Sequence, residues 1–197
     1  MAEFKLAYER TLGHEGGYVN DPDDRGGETY KGIARNYHAN WEGWPVIDSL
    51  RDEVDFPECL STNDSLQRMV REFYKANYWD KANLDSLQSQ DVAEEIFDTG
   101  VNQGMGTAIK YLQEVLNMLN RNEQDYPDMQ VDGVWGNTTE TAYSVYMNTP
   151  RWTSRSVQKC VDTLRKLLNA LQAEKYINII RNDASQEKFM LGWLKRV

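Results

Sequence analysis

Glu15-Gly16-Gly17-Tyr18-Val19-Asn20-Asp21-Pro22-Asp23-Asp24-Arg25-Gly26-Gly27-Glu28-Thr29 places five carboxylates and four glycines directly after an apolar helical repeat. The repeat is Phe4, Leu6, Ala7, Tyr8, Thr11 and Leu12, with Lys5, Glu9 and Arg10 turned away from it, and this spacing predicts a helix. Glu15 falls at its C-terminal end, where the helix dipole disfavours negative charge and so favours a protonated carboxyl. The paired glycines permit tight backbone turns, and Pro22 with its Asn and Asp neighbours supplies turn chemistry. The chain is expected to fold back on Glu15, so that an acid at a helix end faces an acidic loop.

That motif resembles the signature of the glycoside hydrolase family 108 N-acetylmuramidases. These are lysozyme-like endolysins of phages and prophages, some called secretion activators in bacterial genomes. Three further segments share the likeness: Tyr78-Trp79, Val92 to Gly104 (VAEEIFDTGVNQG) and Phe189 to Arg196 (FMLGWLKR). The resemblance implies that Glu15 is the catalytic acid. Related phage lysozymes set a Glu, an Asp and a Thr around the scissile bond, and on that likeness Asp24 and Thr29 are the assisting residues here. Asp21 and Asp23 compete with Asp24, because each could instead bond to nearby backbone N–H groups in a turn.

The chemistry explains the residue types. A glycosidic oxygen is a poor leaving group, so a general acid that stays protonated near neutral pH must protonate it as the bond breaks. A second carboxylate, or a water held in place, then stabilises the oxocarbenium-like centre. No cofactor is required. Tyr18 and Tyr30, beside the motif, are assigned as substrate contacts, and the resemblance, which implies that the helix of Asn102 borders the cleft, makes Asn102 a third. Two other functions compete with the muramidase expectation. One is a lytic transglycosylase, which also works with one Glu but forms an anhydro product; the other is a non-catalytic wall-binding or secretion-associated protein.

Composition narrows the classes. A chain of 197 residues that is 40% hydrophobic can bury a full core. A net charge of -9 without a basic run excludes a polyanionic nucleic acid as partner. The same charge opposes long-range approach to an acidic bacterial envelope, so capture of peptidoglycan glycan strands must rely on short-range contacts. No basic segment followed by a signal-length apolar run opens the chain, and no window approaches the roughly 18 apolar residues of a membrane span. The expectation is synthesis in the cytoplasm, no stable membrane insertion, and access to the wall through a holin, another export route or lysis. Cys59 and Cys160 are read as reduced thiols. No metal is expected: His14-Glu15 lacks the second His of a zinc-protease pattern, Tyr18 standing in its place. A calcium loop over 21–32 fails because Arg25 and Gly32 replace oxygen ligands.

The rest of the chain reads as helix. Leu66, Met69, Val70, Phe73, Tyr74 and Tyr78 share one face, with Asn63 or Asp64 as N-cap, and a short helix fits 47–54. Val92, Ile96, Phe97 and Val101 have core spacing. Residues 106–146 resemble peptidoglycan-binding modules, in which an Asp-Gly turn and a second Gly introduce a helix; here Asp132, Gly133 and Gly136 do so, while Asn137 replaces the usual Pro. A long helix is expected from Thr153 to Arg181, its heptad-like stripe suiting a monomer's core or a weak homodimer. Glu187 to Val197 should close the fold by burying Phe189, Leu191 and Trp193. The resulting expectation is an all-α, lysozyme-like protein whose only strand structure is a small β-hairpin near residues 18–33. A muramidase region would span 1–105, with a helical peptidoglycan-binding-like region over 106–197 packed on it.

Overall fold

A computed structural model describes residues 1–13, 17–21, 26–149 and 156–197. Glu15, Asp23 and Asp24, and the expected helix start at Thr153, lie outside the described residues. The chain is mainly helical, with one small antiparallel sheet, and divides into two compact units, one of residues 4–79 and one of 80–197 with the first three residues.

In the unit of residues 4–79, helix α1 (Phe4–Leu12) buries Ala7, Thr11 and Leu12. Strands β1 (Tyr18–Val19), β2 (Thr29–Tyr30) and β3 (Ile33–Ala34) follow. Tyr18 pairs with Tyr30 and Val19 with Thr29; Thr29 then pairs with Ala34 and Tyr30 with Ile33. The expected hairpin is thus a three-stranded sheet. The β2–β3 connection is two residues, Lys31 at φ 44° and Gly32 at φ 79°, the pair of positive angles that matches the twist of a tight hairpin. A Cβ on Gly32 would stand 2.6 Å from the Tyr74 hydroxyl, which donates to the Lys31 carbonyl at 2.8 Å.

Helix α2 (Gly43–Ser49) lies earlier than the expected 47–54, and turns replace helix beyond Leu50. Trp44 seats it, 2% exposed, with its indole N–H donating to the His38 carbonyl at 2.8 Å. After α3 (Cys59–Thr62) comes α4 (Asp64–Tyr74), capped as expected by Asn63, whose side chain accepts from the Leu66 N–H. Leu66, Val70 and Tyr74 form its buried face.

The unit of residues 80–197 is built on α5 (Gln90–Gln103) and α6 (Met105–Leu119), which pack along each other. Helix α7 (Asn137–Asn148) starts after Gly136 without a side-chain cap. Helix α8 (Val157–Asn182) starts at a Ser156 cap and lays Cys160, Val161, Leu164 and Leu168 against α5, α6 and α7. Its stripe therefore serves the unit's own core, with Val157 left 58% exposed.

The C-terminal expectation is overturned. The segment from Ala184, including the short α9 (Met190–Trp193), has no buried residue: Phe189 is 45% and Leu191 80% exposed, and Trp193 is half-buried. Turns this short cannot cover both faces of their side chains. The rings instead stack on one another, Trp193 on Tyr176 at 5.1 Å and on Phe189 at 5.9 Å. None of the helices in the described residues is long and apolar enough to cross a membrane.

Candidate functional site

The described part of the signature motif is held by the sheet. Pairing of Val19 with Thr29 closes the acidic segment between them, so its two ends sit on adjacent strands. The Lys31 N–H adds a bond to the Gly17 carbonyl at 3.1 Å, and the Asn36 N–H bonds the Gly26 carbonyl at 3.2 Å. Both flanks of the glycine-rich loop are thereby fixed by backbone hydrogen bonds.

A charged cluster reinforces that frame. Glu28 is 8% exposed, and its two carboxylate oxygens accept from different guanidinium groups: Arg35 Nη1 at 2.7 Å and Arg51 Nη2 at 2.5 Å. Asp48 on α2 completes the cluster, accepting from Arg35 Nη2 at 2.5 Å and from Arg51 Nε at 3.1 Å. The Arg35 guanidinium, bonded to Asp48, holds that carboxyl below the usual range, against a smaller opposing effect of burial. Arg35 also lies over the Trp44 ring, 4.7 Å from its centroid. Two carboxylates and two guanidiniums therefore tie the start of β2 to α2 with charge-assisted bonds.

Each residue singled out in the sequence has a definite place. Thr29 lies half-buried on β2, next to the Glu28 clamp, and its hydroxyl donates to the Gly27 carbonyl at 3.1 Å. Tyr18 is half-buried on β1. Its hydroxyl accepts from Arg51 Nη1 at 3.2 Å, and its ring meets Phe56 edge-on at 4.9 Å. Burial, and then the Glu28 carboxylate, push the Tyr18 hydroxyl above its ordinary range. Tyr30 is a core residue, 1% exposed, and its hydroxyl donates to the Leu60 carbonyl at 3.0 Å and accepts from Gln67 Nε2 at 2.7 Å. With its ring enclosed by protein, Tyr30 anchors the sheet. Asn102, in the other unit, is exposed near the end of α5, and its amide donates to the Tyr176 hydroxyl at 2.5 Å. Asp98, one turn earlier, receives Arg196 Nη1 at 2.7 Å.

Glu28, Arg35, Asp48 and Arg51 were not singled out in the sequence. Asp48 and Arg51 are three residues apart, but the other pairs are separated by 7, 13 and 23 residues and join different elements. The only signal was Glu28 itself, a carboxylate set between a glycine turn and a strand.

In the second unit the Asp-Gly turn is organised by one buried amide. Gln113, 2% exposed on α6, donates to Asp132 Oδ1 at 2.9 Å, to the Val134 carbonyl at 3.1 Å and to Thr139 Oγ1 at 3.1 Å. Its carbonyl oxygen accepts from the Gly133 N–H at 2.9 Å. Gly133 has φ 78°, and a Cβ there would approach the Gly106 carbonyl to 2.6 Å. Asp132, Gly133 and Thr139 thus join α6 to the start of α7, a role in turn geometry.

Family likeness divides the chain near residue 105, within the compact unit of residues 80–197 rather than at its edge. Residues 8–104 match the family model described as Glycosyl hydrolase 108, and residues 107–197 match that of a Predicted Peptidoglycan domain. Among solved structures, one titled "Structure of Brucella abortus SagA" is similar in fold, with a TM-score of 0.57 and 23% sequence identity over 98% of this chain and 88% of that one. No curated protein matches the chain. A region matching the glycosyl hydrolase 108 model is thus joined to a C-terminal region matching a predicted peptidoglycan domain.

Proposed function

We propose that this protein is an N-acetylmuramidase that hydrolyses the β-1,4 bond between N-acetylmuramic acid and N-acetylglucosamine, with Glu15 as general acid. The family and its partner domain support a role on peptidoglycan. The observation carrying the finer reading is the motif's frame. Glu15 follows α1, which ends at Leu12, by three residues, and the acidic segment after it is closed by the Val19–Thr29 pairing.

In this reading Glu15 protonates the leaving glycosidic oxygen while Asp24 carries negative charge toward the anomeric centre or activates water. Thr29, its hydroxyl hydrogen directed at the Gly27 carbonyl, keeps lone pairs with which to accept from that water. The Glu28 clamp keeps β2, and so Thr29, in place without taking part in the chemistry. Tyr18 offers a partly open ring edge to a sugar, whereas buried Tyr30 supports the strand beside it.

The test is digestion of purified peptidoglycan with mass spectrometry and borohydride reduction of the fragments. Hydrolysis with muramic acid at the new reducing end is expected, and Glu15→Gln should abolish it while the thermal melt stays unchanged. Fragments lighter by one water would instead identify a transglycosylase. Undiminished turnover by the Gln variant would remove Glu15 from the chemistry.

A further inference from the structure

An acidic chain that acts on an acidic wall needs a place where its charge is locally reversed, and the unit of residues 4–79 has one. A groove of about 600 Å³ runs between α1 and α4. Phe4 and Tyr8 supply its apolar floor, their rings 5.6 Å apart, and Lys5, Arg68, Arg71 and Lys75 stand around it. Two acids line it as well, Glu9 and Glu72. They face Lys5 and Arg68 only at 3.8 and 3.9 Å, through side chains that are 60% or more exposed, so solvent screens both pairs heavily.

Arg71 differs from these. Among the described residues it has no carboxylate partner, and its charge acts on the Tyr8 hydroxyl and on Lys31. Lys31 Nζ donates to a neutral amide, Gln67 Oε1, at 2.7 Å. Burial, and then Arg71, lower the affinity of Lys31 for its proton. Arg71 lines the aromatic-floored groove and its charge acts on that of Lys31, so this side of the unit presents positive charge that an anion completes.

We infer that this groove binds the stem peptide of peptidoglycan, whose carboxylates meet Arg71, Arg68 and Lys75 while its alanine methyl groups rest on Phe4 and Tyr8. A short peptide fits the groove's size. The inference rests on reading the chain as a wall hydrolase. It adds a peptide contact outside the signature motif and resolves how a chain of net charge -9 holds an anionic polymer.

The experiment uses full-length protein carrying Glu15→Gln, so that binding is read without cleavage. Pelleting is measured with sacculi stripped of phosphate polymers by hydrofluoric acid, and with glycan strands freed of stem peptides by an amidase. Adding Arg68→Gln and Arg71→Gln together should weaken binding to intact sacculi about five- to tenfold, as expected from losing two partly screened charge contacts. The salt dependence should flatten, binding to peptide-free strands should not change, and Arg71→Lys should restore most of the loss. Unchanged binding to intact sacculi by a folded double variant would overturn the inference. So would an equal loss on peptide-free strands, or binding that disappears with the phosphate polymers. Release of reducing ends by the wild-type protein is measured separately, so failure of the groove and failure of the hydrolase reading give different results.

Discussion

Arg51 reaches back across 23 residues to Glu28, Nη2 to Oε1 at 2.5 Å, and the same guanidinium donates to the Tyr18 hydroxyl at 3.2 Å. One side chain thus bonds a group on β1 and a group immediately before β2, on either flank of the acidic loop. Glu28→Ala should remove the centre of this clamp. Both arginines are about a third exposed and can regain water, so the expected loss is about 2 kcal/mol rather than the larger cost of stranding a fully buried charge. Urea denaturation measures it. A midpoint equal to wild type would show that the clamp contributes nothing.

Asp48 makes the cluster pH-dependent. Its carboxyl is held low by the Arg35 hydrogen bond, so the folded state binds its proton less readily than the unfolded chain does. That contribution is present above the ordinary carboxylate range and is lost as pH falls through the lowered folded value. Asp48→Asn should therefore be less stable than wild type at neutral pH, with the gap closing in acid. Paired thermal melts across that range check it, and a pH-independent gap would refute the electrostatic origin.

Gly133 tests the second unit. Gly133→Ala meets both the strain of φ 78° and the Gly106 carbonyl, and should cost about 1–3 kcal/mol. Gln113→Ala should cost at least as much, because it removes the amide shared by the Gly133 N–H and the buried Thr139 hydroxyl. Stability of both variants can be read from denaturant midpoints; a wild-type value for Gly133→Ala would mean that the turn yields.

Tyr143 on α7 is buried, and among the described residues no group meets its hydroxyl in hydrogen-bonding geometry. Burial pushes that hydroxyl up to about 12, against a smaller opposing effect of the nearby backbone at Ser89 and Gln88. Tyr143→Phe should hold or raise stability by up to about 1 kcal/mol at neutral pH, since it removes an unsatisfied polar atom. In alkali the unfolded tyrosine ionises first, so wild type should lose stability as pH rises from the ordinary tyrosine value of 10.0 toward 12, relative to the Phe variant. Parallel loss in both proteins would place the alkaline sensitivity elsewhere.

The sequence by itself determined the helical class, the α1, α4, α5, α6 and α8 stripes, the Asn63 cap and the small sheet after α1, because each rests on contacts within a few residues. It also carried the likeness to glycosyl hydrolase 108, through a motif long enough to be specific. Tertiary structure decided what depends on distant partners. It drew Tyr30 into the core against Leu60 and Gln67 and gathered Glu28, Arg35, Asp48 and Arg51 into one cluster. It also left Phe189 and Leu191 in solvent where their apolar character predicted burial. Apolar periodicity says which face of an element seeks cover, but whether cover exists, and which charge meets which, is set by where the rest of the chain comes to lie.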